Sequence, residues 1–193
     1  MAKGYRITLA SICLCLSLCQ PDALAADTTS VVKQPTTTRA ALAQVYNSQV
    51  GVSEKGCNNC GPEVKQYLAS SGNRQGQPWC AAFVNWCFKK LGLKGPAGAG
   101  AARNWFPASK VIYRRGAPQV REPQQGDCAG YYYANLGRIG HIGFIDQWGE
   151  NFVVTVEGNT GGGSGVNREG DGVHRMRRLR SQISIVSSWI PKS

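Results

Sequence analysis

From Thr38 to about Leu91 apolar residues recur at three- and four-residue spacing, and from Asp127 to Ile190 they mostly alternate. That one change of period constrains the fold more than any composition figure. It predicts helices first and an antiparallel sheet second, the α+β arrangement. Thr38 can cap a first helix from Arg39 to about Gln49, with Ala41, Leu42, Val45 and Tyr46 on one side. Pro62 suits the opening turn of a second, ending near Ser70, with Val64, Tyr67 and Leu68 inward. After the Gly72–Pro78 loop comes a third, with Cys80 in its first turn, ending near Leu91. Gly92 to Gly100 is loop, and Ala102 to Lys110 holds a short helix. Strands are predicted at Asp127–Ala134, Ile139–Trp148, Asn151–Glu157, Val173–Arg180 and Ile183–Ile190, about five in all. There are no internal repeats.

The N-terminus has the layout of a secretory signal. Lys3 and Arg6 precede an apolar run, Ile7 to Leu18, too short to span a bilayer, and Ala23-Leu24-Ala25 is a small-x-small cleavage site. The expected division is therefore a signal over 1–25, a polar and flexible lead-in over 26–38, and a single domain over 39–193. Leu18 is a poor residue to precede an acylated Cys19, which argues against a lipid anchor. Losing the signal removes Lys3, Arg6 and Asp22, so the formal net charge of +11 falls by only one. An exported basic domain suits anionic envelope polymers, although the charge also serves plain solubility. Zinc-finger, basic-helix and aromatic–basic sheet signatures of nucleic-acid binding are missing, and no later segment reads as an integral membrane span.

Cys57, Cys60, Cys80, Cys87 and Cys128 remain after Cys13, Cys15 and Cys19 leave with the signal. In an oxidising compartment spare thiols pair, and an odd number leaves one over. Cys57 and Cys60 are near enough to pair locally. Cys87, seven residues after Cys80, lies on the same helix face, toward the sheet, so a Cys87–Cys128 bridge is a second expectation. Fully reduced core thiols fit as well. A zinc site does not, for want of a second close Cys pair or a His at finger spacing.

Cys80 is the residue best placed for chemistry. A thiol in the first turn of a helix feels the positive end of the macrodipole and unpaired N–H groups, which favour thiolate. A thiolate nucleophile needs a base, and the base needs an orienting group. Of two histidines, His141 lies mid-strand between Gly140 and Gly143, which leave room beside it. His174 lies among arginines without an evident orienter. Glu157 and Asn159 alternate onto one face of the following strand with Thr155. A hairpin through Gly149 would return them to His141, where a carboxylate or amide can fix the tautomer.

Four motifs in this order, Pro78-Trp79-Cys80-Ala81-Ala82-Phe83-Val84, Gly126-Asp127, Gly140-His141-Ile142-Gly143-Phe144 and Glu157-Gly158-Asn159, resemble the CHAP family. Its members are cysteine- and histidine-dependent amidohydrolases and peptidases related to NlpC-like and papain-like folds. The resemblance runs from about Gly51 to Arg180. It implies a peptidoglycan hydrolase cutting an amide bond without a cofactor, and the signal makes it an exported, periplasmic or secreted one. Cys80 would be nucleophile, His141 base, and Glu157 and Asn159 orienting or polarising groups. It does not decide between amidase and endopeptidase, nor which of Glu157 and Asn159 touches the ring. The other expectations are an inactive wall-binding module, and a secreted antibacterial or phage lysin with the same chemistry. Cys128 departs from the family pattern, where an aliphatic residue is usual, and Cys57 and Cys60 stand in a lead-in that usually has none.

The remaining features read structurally. Tyr131-Tyr132-Tyr133 must alternate faces. Trp79 either meets substrate or plugs the core. Gly161 to Gly165 is a strand connection, since no Lys-Ser/Thr follows to make a phosphate loop. Asp127 organises a turn. Arg175, Arg177, Arg178 and Arg180 read as a solvated basic edge that resists sheet-to-sheet pairing.

Overall fold

A computed structural model describes Met1, residues 37–161 and residues 170–191. The signal, nearly all of the lead-in, and Gly162 to Gly165 of the glycine-rich connection lie outside them. The described elements belong to the compact unit Pro35–Ser193.

Three helices come first: α1 (Thr38–Asn47), α2 (Pro62–Ser70) and α3 (Cys80–Lys90). The cap of α1 is Thr37, one residue earlier than predicted; its hydroxyl accepts from the Ala40 N–H at 3.2 Å. Gly61 before α2 has φ +128°, a conformation that side chains rarely tolerate, and Pro62 follows in the first turn. Helix α3 is apolar nearly all round, because α1 and α2 cover one side of it and the sheet the other. Lys89 and Lys90 stand in its last turn, where the macrodipole favours cations. Two 3₁₀ turns, Ala102–Trp105 and Ala108–Lys110, replace the single short helix predicted there. Pro107 between them supplies no N–H to continue a helix.

The sheet has six strands: β1 (Val111–Arg114), β2 (Cys128–Tyr133), β3 (Arg138–Trp148), β4 (Phe152–Thr160), β5 (Gly172–Leu179) and β6 (Ile185–Ser187). Their order is β1-β6-β2-β3-β4-β5, with every pairing antiparallel. Strand β1 is the one the sequence did not announce. Four residues are too few to establish a period, and its partner β6 is the far end of the chain.

One core lies between the helices and the sheet, built from Leu42, Tyr46, Tyr67, Trp79, Phe83, Phe88, Ile142, Phe144 and Val156. A smaller one joins Ile112, Tyr113, Ala129, Tyr131, Ile145 and Val153. Of the three tyrosines only Tyr131 is fully buried; Tyr132 is exposed. Trp79 plugs the core, with no exposed surface, and its indole N–H donates to Glu54 at 2.8 Å.

Bulges interrupt β3 and β4 where side chains must be re-aimed. The first sits between Ile145 and Gln147 and turns the Asp146 carboxylate toward the Tyr46 hydroxyl at 2.7 Å and onto Arg175. A second lies between Glu157 and Thr160, and within it Asn159 has φ +55°. Asparagine enters that left-handed region more readily than most residues.

Candidate active site

Cys80 opens α3, behind Trp79, which supplies no side-chain cap. The turn's free N–H groups therefore face the thiol rather than a capping oxygen. Burial alone would push this thiol up. The hydrogen bond and charge of His141, with the backbone N–H groups of Ile142 and Ala81, outweigh burial and bring it below its ordinary value. Burial likewise opposes a charged imidazole, but Cys80 and Glu157 raise His141 to about 9. Both shifts act to the same end, each group favouring the charged form of the other.

His141 is fully buried. Its Nε2 is 2.9 Å from Glu157 Oε2, which leaves Nδ1 as the ring nitrogen without an oxygen or nitrogen partner. The strand order explains the meeting. Strands β3 and β4 form the hairpin through Gly149, and Gly143 leaves the space that Glu157 fills: a Cβ there would stand 2.5 Å from Glu157 Cγ.

Glu157 is itself heavily supported. Arg178 donates to it twice, Nε to Oε1 at 2.9 Å and Nη2 to Oε2 at 2.7 Å. The Tyr131 and Thr155 hydroxyls donate to Oε1 at 2.6 and 2.5 Å. Burial would raise this carboxyl, but His141 and Arg178 hold it far below the carboxylate range. Expecting Arg178 on a solvated edge was wrong: it has no exposed surface, whereas Arg177 stacks on Phe152 outside. The arginines alternate along β5, so one of the adjacent pair had to turn inward, and the buried carboxylate decides which. Its period offered that signal; nothing in the sequence named its partner.

Asn159 stands elsewhere. The bulge ends the alternation after Glu157, and the Asn159 amide oxygen accepts from the Trp79 backbone N–H at 2.8 Å. Its Nδ2 donates to Asn59 Oδ1 and Gly170 O. Asn159 thus fixes Trp79, the residue before Cys80, while Glu157 faces the ring. His174 is outside the group; its Nε2 lies 3.5 Å from Asp171.

Cys57 and Cys60 form a disulfide. Cys87 and Cys128 are both free and fully buried, so the expected bridge between them is corrected. Burial pushes both thiols well up. Asp127 does organise its turn, accepting from Gln124 N at 2.9 Å, and it also pairs with Arg39 and Arg121. Among the described residues no group of three or more His, Cys, Asp or Glu could hold a metal ion, and no helix is long and apolar enough to cross a membrane.

Cys80 opens onto a cleft of about 160 Å³ lined by Asn73, Gln77, Ala101, Arg103, Arg138 and Gly140, among others. Larger depressions, such as one of about 670 Å³ beside α2 and the Gly95–Ala99 loop, hold no cysteine or histidine.

The α+β fold thus brings together a cysteine at a helix tip, a strand histidine beside it and a carboxylate behind the ring. Residues 72–159 match the CHAP domain family model. No curated protein and no solved structure matches the chain. The matched segment contains Cys80, His141, Glu157 and Asn159, and it indicates a peptidoglycan hydrolase of the amidase or peptidase type.

Proposed function

We propose that this protein is an exported cysteine hydrolase that cuts an amide bond of peptidoglycan at Cys80. The observation that carries the reading is the Cys80–His141–Glu157 alignment inside a CHAP domain. The Cys80 thiolate attacks the carbonyl carbon, and the negative oxygen of the tetrahedral intermediate meets backbone N–H groups at the tip of α3. Imidazolium His141 gives its proton to the leaving amine, whose C–N bond breaks to leave a thioester. Neutral His141 then takes a proton from water, which attacks the thioester and releases the Cys80 thiolate beside imidazolium His141. Glu157 keeps the ring oriented and favours its charged form. The signal-like N-terminus supports export, and the positive charge suits a wall rich in anions.

Purified cell walls digested with the protein should release fragments whose new ends are an amine and a carboxylate, identifiable by mass spectrometry. Protein first alkylated at Cys80 should release none. Fragments ending in sugar reducing ends, or equal release after alkylation, would refute the proposal.

The thiol's lowered pKa gives a second expectation. Iodoacetamide should label native protein once, at Cys80, well below the ~8.5 at which ordinary thiols ionise. Cys87 and Cys128 should stay unlabelled, because burial keeps them protonated. Hydrolysis should fall on the alkaline side near pH 9, where His141 loses the proton that the leaving amine needs. Labelling that begins only at ordinary thiol pH would contradict the ion pair.

A further inference from the structure

The cleft over Cys80 carries more positive charge than attack on a carbonyl requires. Arg103 comes from the first 3₁₀ turn and Arg138 from the start of β3, and both line it. Neither makes an ion pair with any described residue, and no described aspartate or glutamate lines the cleft. Arg138 Nη1 reaches only the backbone oxygen of Ile139, at 3.2 Å. Glu157, the acid nearest the chemistry, is buried and already accepts from four side chains, so it cannot neutralise them. The other polar groups, Asn73 and Gln77, are neutral.

Arginines elsewhere on this protein show what such a group does when an acid is within reach. Arg39, Arg121, Arg175 and Arg178 each pair with a carboxylate, while of those without one Arg177 and Arg180 lie over aromatic rings and Arg115 donates to the Ser181 carbonyl. Two left unpaired at the mouth of one small cleft form a place for an anion brought from outside. Guanidinium matches a carboxylate in a fork of two parallel hydrogen bonds. A cleft of about 160 Å³ has room for a peptide side group rather than a sugar chain.

We propose that Arg103 and Arg138 bind a free carboxylate on the peptide close to the scissile amide, so that the substrate is an acidic stem peptide and not its amidated form. This rests on the reading of Cys80 as nucleophile, and it adds the choice of substrate. The two arginines are binding residues that hold the amide over the sulfur and take no part in proton transfer.

The test uses a stem tetrapeptide with its carboxylates free and the same peptide with them converted to carboxamides. Each is titrated calorimetrically into the Cys80→Ala protein. The acidic peptide should bind at least about tenfold more tightly, since two charge-assisted contacts are lost on amidation. The Arg103→Gln/Arg138→Gln variant, whose changes lie at the surface, should bind both peptides alike, and Arg→Lys at both sites should restore part of the preference. Equal binding of the two peptides by the starting protein, or a preference that survives removal of both arginines, would overturn the proposal. So would displacement of the acidic peptide by an equal concentration of inorganic phosphate, which would reveal a general anion site. Unmodified protein that still clears cell walls in those cases leaves the hydrolase standing; protein that clears none fails the earlier reading instead.

Discussion

Glu157→Ala should abolish most hydrolysis and also weaken the fold. The substitution leaves Arg178 buried without its counter-charge and strands the donors of Tyr131 and Thr155. Removing one partner of a buried ion pair costs about 3–5 kcal/mol, a large part of the roughly 5–15 kcal/mol that holds a domain of this kind folded. Urea unfolding should show that loss as a lower midpoint. Activity should drop by about 10²–10⁴-fold, as when the group behind a catalytic imidazole is removed. Glu157→Gln/Arg178→Met separates the two effects. With both charges gone the fold should recover much of its stability, while His141 no longer has a carboxylate to support its proton. The alkaline limb of the pH profile should then move below 9. Full activity with an unmoved limb would show that Glu157 only fills space.

The charge states also fix how stability follows pH. Folded Glu157 ionises more readily than a free carboxylate, so its contribution is present above about pH 4.3 and is lost as pH falls toward its depressed value. His141 runs the other way. Its contribution is complete below about pH 6.5 and is lost as pH rises through about 9.

Cys80→Ala should remove wall hydrolysis altogether, by at least about 10⁴-fold, because no other described nucleophile stands beside His141. The fold should survive: alanine suits a helix, and one sulfur is a small loss of packing. Circular dichroism should be unchanged and turbidity of purified walls should stay constant. The substitution also takes the thiolate away from the imidazole. A ring held up to about 9 by two partners keeps only one, so proton NMR should find its titration at lower pH than in the starting protein. Undiminished clearing would end the assignment of Cys80, and an unmoved titration would show that thiol and ring do not share charge.

The order of elements was legible because helices and strands here have opposite periods and clean punctuation. Pro62 marks one helix start to the residue, and the pre-Cys80 loop marks another to within a turn. Strand β1 was hidden by its shortness. The meeting of His141 with Glu157 could be anticipated, since a hairpin through Gly149 returns β4 alongside β3. The departure of Asn159 could not: alternation predicts its face only in an unbroken strand, and a bulge is decided by what the other element needs, here the Trp79 N–H. Arg178 was obscured for a related reason. Four arginines in six residues look solvated until a buried carboxylate on the neighbouring strand selects one.

Arg178 also shows where the working unit stops. The CHAP match closes at residue 159, yet the charge that balances Glu157 arrives nineteen positions later in sequence, on the outermost strand. A fragment trimmed to the matched residues would contain Cys80, His141 and Glu157 and lack the guanidinium that balances the carboxylate. The buried charge cluster around Glu157 is therefore assembled from a longer stretch of chain than the recognisable signature, and removing β5 would unbalance it.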